Sequence, residues 1–155
     1  AAAIAPYFET LCRLGFHDSQ GGEMFCRSIR TLGMDAEAAM YRATGGVNTH
    51  KGLIFSLGLL AAAAGQWYAR HLEASETCLT AEALCEQEAV LAREFLPGLG
   101  RTAGTHGQEV CQKYQAEGIR KEALSGFRSV LRAAMPHLRS SAGSLEQRGM
   151  RPWWS

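Results

Sequence analysis

The sequence predicts an all-α protein, a compact array of about six or seven helices. Apolar residues recur at steps of three and four along nearly the whole chain, which is the period of a helix with one buried face. No run of alternating apolar and polar residues is bounded by turns, so no sheet is expected. The length of 155 residues suits one domain and is enough to bury a core without disulfides or metals.

Glycines and polar residues divide the first part of the chain into three predicted helices. The first covers residues 4–14 and is expected to stop at Gly15. A second covers residues 24–32 and is expected to close at Gly33. A short third helix is expected over residues 35–44, with the aspartate at its start as the N-cap.

The next two predicted helices have polar residues at their starts. Asn48 or Thr49 is expected to cap a helix over residues 50–72, the most apolar stretch of the chain. Its most apolar run covers residues 53–64 and is interrupted by Ser56 and Gly58. This run is far shorter than the ~20 residues that cross a bilayer, so the sequence predicts a buried helix and no membrane span. Thr80 is expected to cap a helix over residues 81–96.

Two further helices are predicted before the composition changes. The first covers residues 105–117, and the second follows Gly118 and is bent or ended by Pro136. These helices complete a predicted helical core over residues 1–139. Residues 140–155 are rich in serine, arginine and glycine and show no helical stripe. They are expected to form an irregular tail, loosely ordered or not native to the fold.

Charge and cysteine content restrict the function classes. The net charge is +1, so no global field favours nucleic acid or an anionic membrane. The five cysteines form no C-x-x-C pair, and each lies in an apolar, helix-like stretch. This usage predicts buried thiols in a reducing compartment, and hence a cytoplasmic protein with no metal site built from cysteine.

The segment from Gly45 to Gly52 is the most informative part of the chain. It reads Gly-Gly-Val-Asn-Thr-His-Lys-Gly and precedes the apolar helix. A helix N-terminus presents unpaired N–H groups and a partial positive charge, which suit phosphate. Lys51 adds a cation, and Gly52 allows a ligand to approach the backbone. The spacing is not that of a P-loop, because no Lys-Ser or Lys-Thr pair follows a second glycine.

The surrounding residues resemble a known family. Residues 42–52 read Arg-Ala-Thr-Gly-Gly-Val-Asn-Thr-His-Lys-Gly and run on into Ile-Phe-Ser-Leu-Gly-Leu-Leu at residues 54–60. This stretch closely resembles the signature of triphosphoribosyl-dephospho-coenzyme-A synthases. A second block, Thr105-His106-Gly107 followed by Gly-Ile-Arg at residues 118–120 and by Glu122, is similar to that family's second motif.

The second block also departs from the family pattern. Lys121 and Gln115 stand where the family usually has glycine, and Arg128 stands where it usually has proline. The resemblance covers residues 1–138, about the middle half of a family member. It therefore implies that the chain is a fragment of a larger helical domain.

The resemblance implies a transferase that joins ATP to 3′-dephospho-coenzyme A and releases adenine. The product, 2′-(5″-triphosphoribosyl)-3′-dephospho-coenzyme A, is the precursor of the prosthetic group on the acyl carrier protein of citrate lyase or malonate decarboxylase. ATP is then a substrate, and Mg²⁺ is expected to accompany its triphosphate. No nucleic-acid partner is expected.

Such a glycosyl transfer needs a base, an acid and a cradle for the triphosphate. The resemblance offers His50, His106 and Glu122 as catalytic residues, with Glu122 also the candidate metal ligand. The remaining candidates bind substrate or phosphate: Arg42, Gly46, Asn48, Thr49, Lys51, Gly52, Thr105 and Arg120.

Two other readings stay open at this point. One is a truncated, catalytically inactive helical module that still binds a nucleotide or coenzyme A. The other is an ordinary helical interaction domain without a small ligand, which the Asn-Thr-His-Lys sequence disfavours. If the site is real, the loop before His50 and the loop at Thr105 should face each other across a cleft.

Overall fold

The structure is a computed structural model that describes residues 2–72, 78–99 and 118–147, with side chains as far as residue 141. The all-α prediction is confirmed, since these residues form helices and include no strand. The six α-helices are α1 Ala5–His17, α2 Glu23–Ala43, α3 Lys51–Arg70, α4 Ala81–Phe95, α5 Ile119–Leu124 and α6 Met135–Gln147.

Helix α3 is the central element, and it packs against α1, α2 and α4. Its buried positions include Leu59, Ala62 and Ala63, which join the main core cluster with Phe25 of α2 and Leu91 of α4. By length and composition alone, α3 is also the one helix in the described ranges that could cross a membrane. Its packing on three other helices accounts for the same composition, because a core helix is apolar on most sides.

Helices α1 and α3 cross closely because glycines remove side chains from their contact. A Cβ atom at Gly15 would lie 2.0 Å from the carbonyl oxygen of Ala62, and one at Gly65 would lie 2.0 Å from that of Cys12. The prediction that Gly15 ends the first helix is therefore wrong. The residue lies inside α1, where its missing side chain allows the backbones to meet.

Helix α2 replaces two predicted helices. Neither Gly33 nor Asp35 interrupts it, and it runs from Glu23 to Ala43 without a break. Its buried face continues through both positions, from Phe25 to Met40. An interior glycine costs a helix only ~1 kcal/mol relative to alanine, and burial of a continuous apolar face exceeds that cost.

The structure confirms the predicted start of α4. It contradicts the prediction of a single helix after Gly118. Thr80 Oγ1 accepts a hydrogen bond from the backbone N–H of Ala83 at 3.1 Å, as an N-cap should. The single helix predicted after Gly118 is divided at Gly126 and Phe127, which have φ angles of 70° and 48°. A Cβ at position 126 would lie 2.8 Å from the carbonyl oxygen of Cys85, so glycine allows this turn to pack on α4.

The last helix continues past Pro136 and into the predicted tail. A π-helical segment, Val130–Ala134, leads directly into α6. The wider π-helical turn stands directly before Pro136, and such a turn is one way in which a continuous helix accommodates a proline without ending. The composition from residue 140 predicts an irregular tail, whereas α6 extends to Gln147. The remainder, 148–155, lies outside the described residues.

The described cysteines are free thiols. Cys26 and Cys85 are buried, and burial raises the pKa of both thiols. Cys12 is partly buried, and Cys78 is exposed, contrary to the expectation that every thiol is buried. Cys111 lies outside the described residues.

Helix α4 also buries a carboxyl group. Glu88 is 0% exposed, and neither of its carboxyl oxygens has a hydrogen-bond partner in the described part of the chain. Burial raises the pKa of Glu88 to about 8 from an ordinary value of 4.5. The carboxyl is therefore protonated in the folded protein at neutral pH, because ionisation without a partner in the core is costly.

The stability of the fold is expected to fall as the pH rises from about 4.5 to about 8. Below this window the carboxyl is protonated in both states, whereas within it the unfolded chain ionises and the folded chain does not. Each pH unit therefore costs ~1.4 kcal/mol of unfolding free energy. Urea unfolding across the window should show this slope, and Glu88→Gln should remove it. Glu86→Gln, an exposed neighbour on α4, is the control, and an equal slope in all three proteins would contradict the prediction.

Candidate functional site

The segment over residues 42–52, called the signature segment below, joins the end of α2 to the start of α3. Gly45 and Gly46 have φ angles of 64° and 88°, a region that other residues rarely adopt. The backbone N–H of Gly46 donates to the carbonyl of Tyr41 at 2.8 Å, and Thr44 Oγ1 donates to the carbonyl of Val47 at 2.6 Å. These bonds hold the turn in one conformation.

The start of α3 is fixed by side chains on both sides of the turn. His50, and neither Asn48 nor Thr49, stands at the N-cap position of α3. Asn48 Oδ1 nevertheless accepts a hydrogen bond from the backbone N–H of Lys51, the first residue of the helix, at 3.2 Å. Met40 Sδ of α2 accepts from the backbone N–H of His50 at 3.1 Å. The N-terminus of α3 is therefore tied to the last turn of α2.

Thr49 has a different role from the predicted cap. Its Oγ1 lies 2.6 Å from Nδ1 of His50, so the hydroxyl is paired with the imidazole. With Nδ1 engaged, Nε2 is the ring nitrogen placed to exchange a proton with a substrate. At Gly46 and at Gly52, a Cβ atom would point into open space. A ligand can therefore approach the backbone at both positions.

Lys51 is paired with a carboxylate that the sequence analysis did not single out. Its Nζ lies 3.0 Å from Oε2 of Glu37 on α2, and the two side chains are 53% and 29% exposed. Glu37 and Lys51 lie on different helices, so the spacing rule for residues three or four positions apart within one helix does not relate them. Only the packing of α2 against α3 brings them together.

A cavity of about 110 Å³ adjoins this ion pair. Glu37 and Arg30 provide its charged groups from α2, and Ile54 and Phe55 of α3 and Phe95 of α4 provide apolar walls. A larger, open cavity of about 440 Å³ lies at the other end of α3, beside Gly65. At 1.5 Å per residue, that end is ~20 Å along the helix from Lys51, so the smaller cavity is the nearer one to the signature segment, and Glu37 links the two.

The comparison with known proteins decides the family. The CitG family, described as ATP:dephospho-CoA triphosphoribosyl transferase, matches residues 1–151. The chain belongs to this family.

Three relatives illustrate the match. A 2-(5″-triphosphoribosyl)-3′-dephosphocoenzyme-A synthase of Escherichia fergusonii is 36% identical over 86% of this chain and 45% of its own length. Proteins that carry the same synthase name in Streptococcus equi subsp. zooepidemicus and Citrobacter koseri are 36% and 42% identical, over 95% and 74% of this chain. They are covered over 54% and 37% of their own lengths. The chain thus spans about half the length of the curated relatives it matches. No solved structure matches it.

The structure describes only part of the second family block, the part from Gly118 onward. Thr105 and His106 lie outside the described residues, so their predicted proximity to the signature segment stays a prediction. Arg120 is partly buried on α5, the helix that packs against α4 and α3. Arg42 is exposed in the last turn of α2.

Glu122 has a structural contact of its own. Its Oε1 accepts hydrogen bonds from the backbone N–H and the Oγ of Ser129, at 2.8 and 2.5 Å. The carboxylate thereby holds the helical segment after the Gly126 turn. In the described ranges, no three His, Cys, Asp or Glu side chains come close enough together to hold a metal ion. A divalent cation here needs oxygens from a bound triphosphate as well, which is how Mg²⁺ is usually held.

Proposed function

We propose that this chain carries the ATP-binding part of a triphosphoribosyl-dephospho-coenzyme-A synthase. The observation that supports this most is the match of the transferase family to residues 1–151. It includes the signature segment, whose glycine turn, capped helix start and Lys51 form one hydrogen-bonded unit. The relatives named above carry this synthase activity in their names, and the description of the family names ATP and dephospho-coenzyme A as the two substrates.

The proposed reaction is a glycosyl transfer. The 2′-hydroxyl of dephospho-coenzyme A attacks the anomeric carbon of the ATP ribose, an O–C bond forms, and the C–N bond to adenine breaks. The hydroxyl proton goes to a base, adenine leaves with a proton from an acid, and the triphosphate stays intact. The transition state resembles an oxocarbenium ion, as in other glycosyl transfers.

The residues of the signature segment suit particular parts of this reaction. Lys51 and the N–H groups at the start of α3 would hold the triphosphate. His50, whose Nδ1 is paired with Thr49, would move a proton through Nε2. Arg42 and Arg120 are proposed phosphate contacts, and His106 and Thr105 remain proposed members of the site.

A magnesium ion, when bound with ATP, would neutralise charge on the triphosphate. Glu122 remains the proposed ligand, although its Oε1 already accepts two hydrogen bonds from Ser129. We further propose a cytoplasmic location and an acyl carrier protein of citrate lyase or malonate decarboxylase as the user of the product.

The reaction is tested by mixing the purified chain with ATP, Mg²⁺ and 3′-dephospho-coenzyme A and measuring adenine by chromatography. We expect adenine release that requires both substrates and is lost in His50→Ala. Circular dichroism of the variant checks that it still folds. ATP binding without adenine release would indicate instead a binding module without turnover. If neither binding nor release occurs, the proposed function is wrong.

A further inference from the structure

The ion pair between Lys51 and Glu37 lies at the surface, where the signature segment meets α2. Lys51 Nζ is 3.0 Å from Glu37 Oε2, and the two side chains are 53% and 29% exposed, so a ligand in solvent can reach both charged groups. A Cβ at Gly33, one turn before Glu37, or at Gly52, next to Lys51, would meet nothing within 4 Å. Both helices that carry the pair therefore leave space for a ligand beside it.

An anionic ligand affects the two partners of this pair in opposite ways. The ammonium group of Lys51 attracts a phosphate, whereas the carboxylate of Glu37 repels it. Because the two groups are in contact, a phosphate that binds Lys51 Nζ comes close to the Glu37 carboxylate and takes away its counter-ion. A triphosphate bound at Lys51 thus brings two negatively charged groups together, and a second cation that contacts both would remove their repulsion.

The carboxylate of Glu37 suits Mg²⁺ as that second cation. Mg²⁺ prefers oxygen ligands, and in nucleotide sites it usually takes one or two carboxylates, oxygens of the substrate phosphates and several waters. Glu37 supplies a carboxylate, and the triphosphate supplies further oxygens. The partial exposure of the pair gives water access to the remaining positions around the ion.

Glu37 can change partners more easily than Glu122, the ligand proposed from the family resemblance. Glu122 Oε1 accepts hydrogen bonds from the backbone N–H and the Oγ of Ser129, and a metal ion there would compete with both. The contact of Glu37 is a partly exposed ion pair, and pairs of this kind contribute little to stability. Exchange of Lys51 for a metal ion therefore costs the fold little.

We propose that Glu37 is a carboxylate ligand of the Mg²⁺ that accompanies the triphosphate. In the ligand-free protein Lys51 neutralises Glu37, and when ATP binds, Lys51 contacts a phosphate and Mg²⁺ takes its place at the carboxylate. The inference rests on the proposed function, which supplies the triphosphate. Because Mg²⁺ takes one or two carboxylates, Glu122 can still be a second ligand.

The experiment measures the affinity of the purified chain for ATP and for inorganic triphosphate by titration calorimetry, once with Mg²⁺ and once with EDTA. Glu37→Gln is expected to bind both compounds severalfold more tightly than the unmodified protein in EDTA, because the repelling charge is gone. In Mg²⁺ the same variant is expected to bind both about tenfold more weakly, because the ion has lost a ligand. Glu37→Asp keeps the carboxylate and should retain part of the affinity in Mg²⁺.

Asp35→Asn is the matched control for Glu37→Gln. Asp35 is an exposed carboxylate two residues earlier on α2, so it faces a different side of the helix, and its replacement changes the net charge equally. This variant is expected to bind both compounds as the unmodified protein does, with and without Mg²⁺. Circular dichroism checks that each variant keeps its helices, and the near-identical shapes of Glu and Gln make unfolding an unsuitable explanation for a loss.

The reversal of sign between EDTA and Mg²⁺ separates a metal ligand from a charge that only repels. If Glu37→Gln binds triphosphate more tightly under both conditions, the carboxylate only repels the anion and the proposal is wrong. It is also wrong if Glu122→Gln weakens binding in Mg²⁺ and Glu37→Gln does not. In either case ATP binding and adenine release by the unmodified protein leave the proposed function standing. If the unmodified protein binds neither compound under either condition, both are overturned.

Discussion

Replacing Lys51 with alanine is expected to weaken ATP binding by about ten- to a hundredfold. A hydrogen bond to a charged group contributes ~1.5–3 kcal/mol, and Lys51 is the cation in the first turn of α3. The same loss should appear with inorganic triphosphate, because the side chain would contact phosphate and not the base. Titration calorimetry of both compounds measures it, and Lys51→Arg is expected to retain part of the affinity.

Replacing Glu37 is expected to change the affinity for triphosphate in the opposite direction. The Lys51–Glu37 pair is partly exposed, and such pairs contribute only ~0–1 kcal/mol, so a triphosphate can displace the carboxylate. Glu37→Gln removes the competitor and is expected to strengthen binding of inorganic triphosphate severalfold without Mg²⁺. If Lys51→Ala leaves binding unchanged, or Glu37→Gln weakens it, Lys51 is not the phosphate contact.

Replacing Gly65 with alanine is expected to destabilise the fold by ~3 kcal/mol or more. The new Cβ would lie 2.0 Å from the carbonyl oxygen of Cys12 and 2.7 Å from the backbone nitrogen of Phe16. These are backbone atoms of α1, so the whole helix must move away, and overpacking of this kind costs more than the helix propensity gained. Urea unfolding measures the change.

Gly33→Ala is the matched control for Gly65→Ala. It is also a glycine inside a long helix, but its Cβ would enter open space. This variant is expected to be more stable than the unmodified protein by ~0.5–1 kcal/mol, because alanine favours the helix and restricts the unfolded chain. If the two variants change stability in the same direction, the close crossing of α1 and α3 is not what requires Gly65.

Most of the fold could be predicted because its causes are local. The helical period identifies the all-α class, and the start of α4 follows from Thr80, whose hydroxyl bonds a backbone N–H three residues away. Asn48 acts on Lys51 over the same short distance. Several of the errors concern glycine and proline. Gly33 does not end α2 because its cost of ~1 kcal/mol is small beside the burial of a continuous apolar face, and Pro136 does not end α6 because a π-helical turn precedes it.

The sequence could predict which segment forms the candidate site, but not which residues of other helices contact it. The signature segment is continuous in the chain, so residues 42–52 remain neighbours in any fold that keeps the α2–α3 turn. Glu37 was missed because its relation to Lys51 depends on how α2 and α3 pack. Arg30 was missed for the same reason, since nothing in its local sequence marks a donor buried without an acceptor.

The sequence by itself therefore determined the helical class, the capped starts of α3 and α4 and the resemblance that led to the family. All of these depend on residues a few positions apart. The tertiary structure alone decided that Gly15 and Gly65 are contact points, that Glu88 is buried, and that Lys51 faces Glu37 beside a cavity. These features arise between residues far apart in the chain, where the free energy depends on which helices meet and how closely they approach.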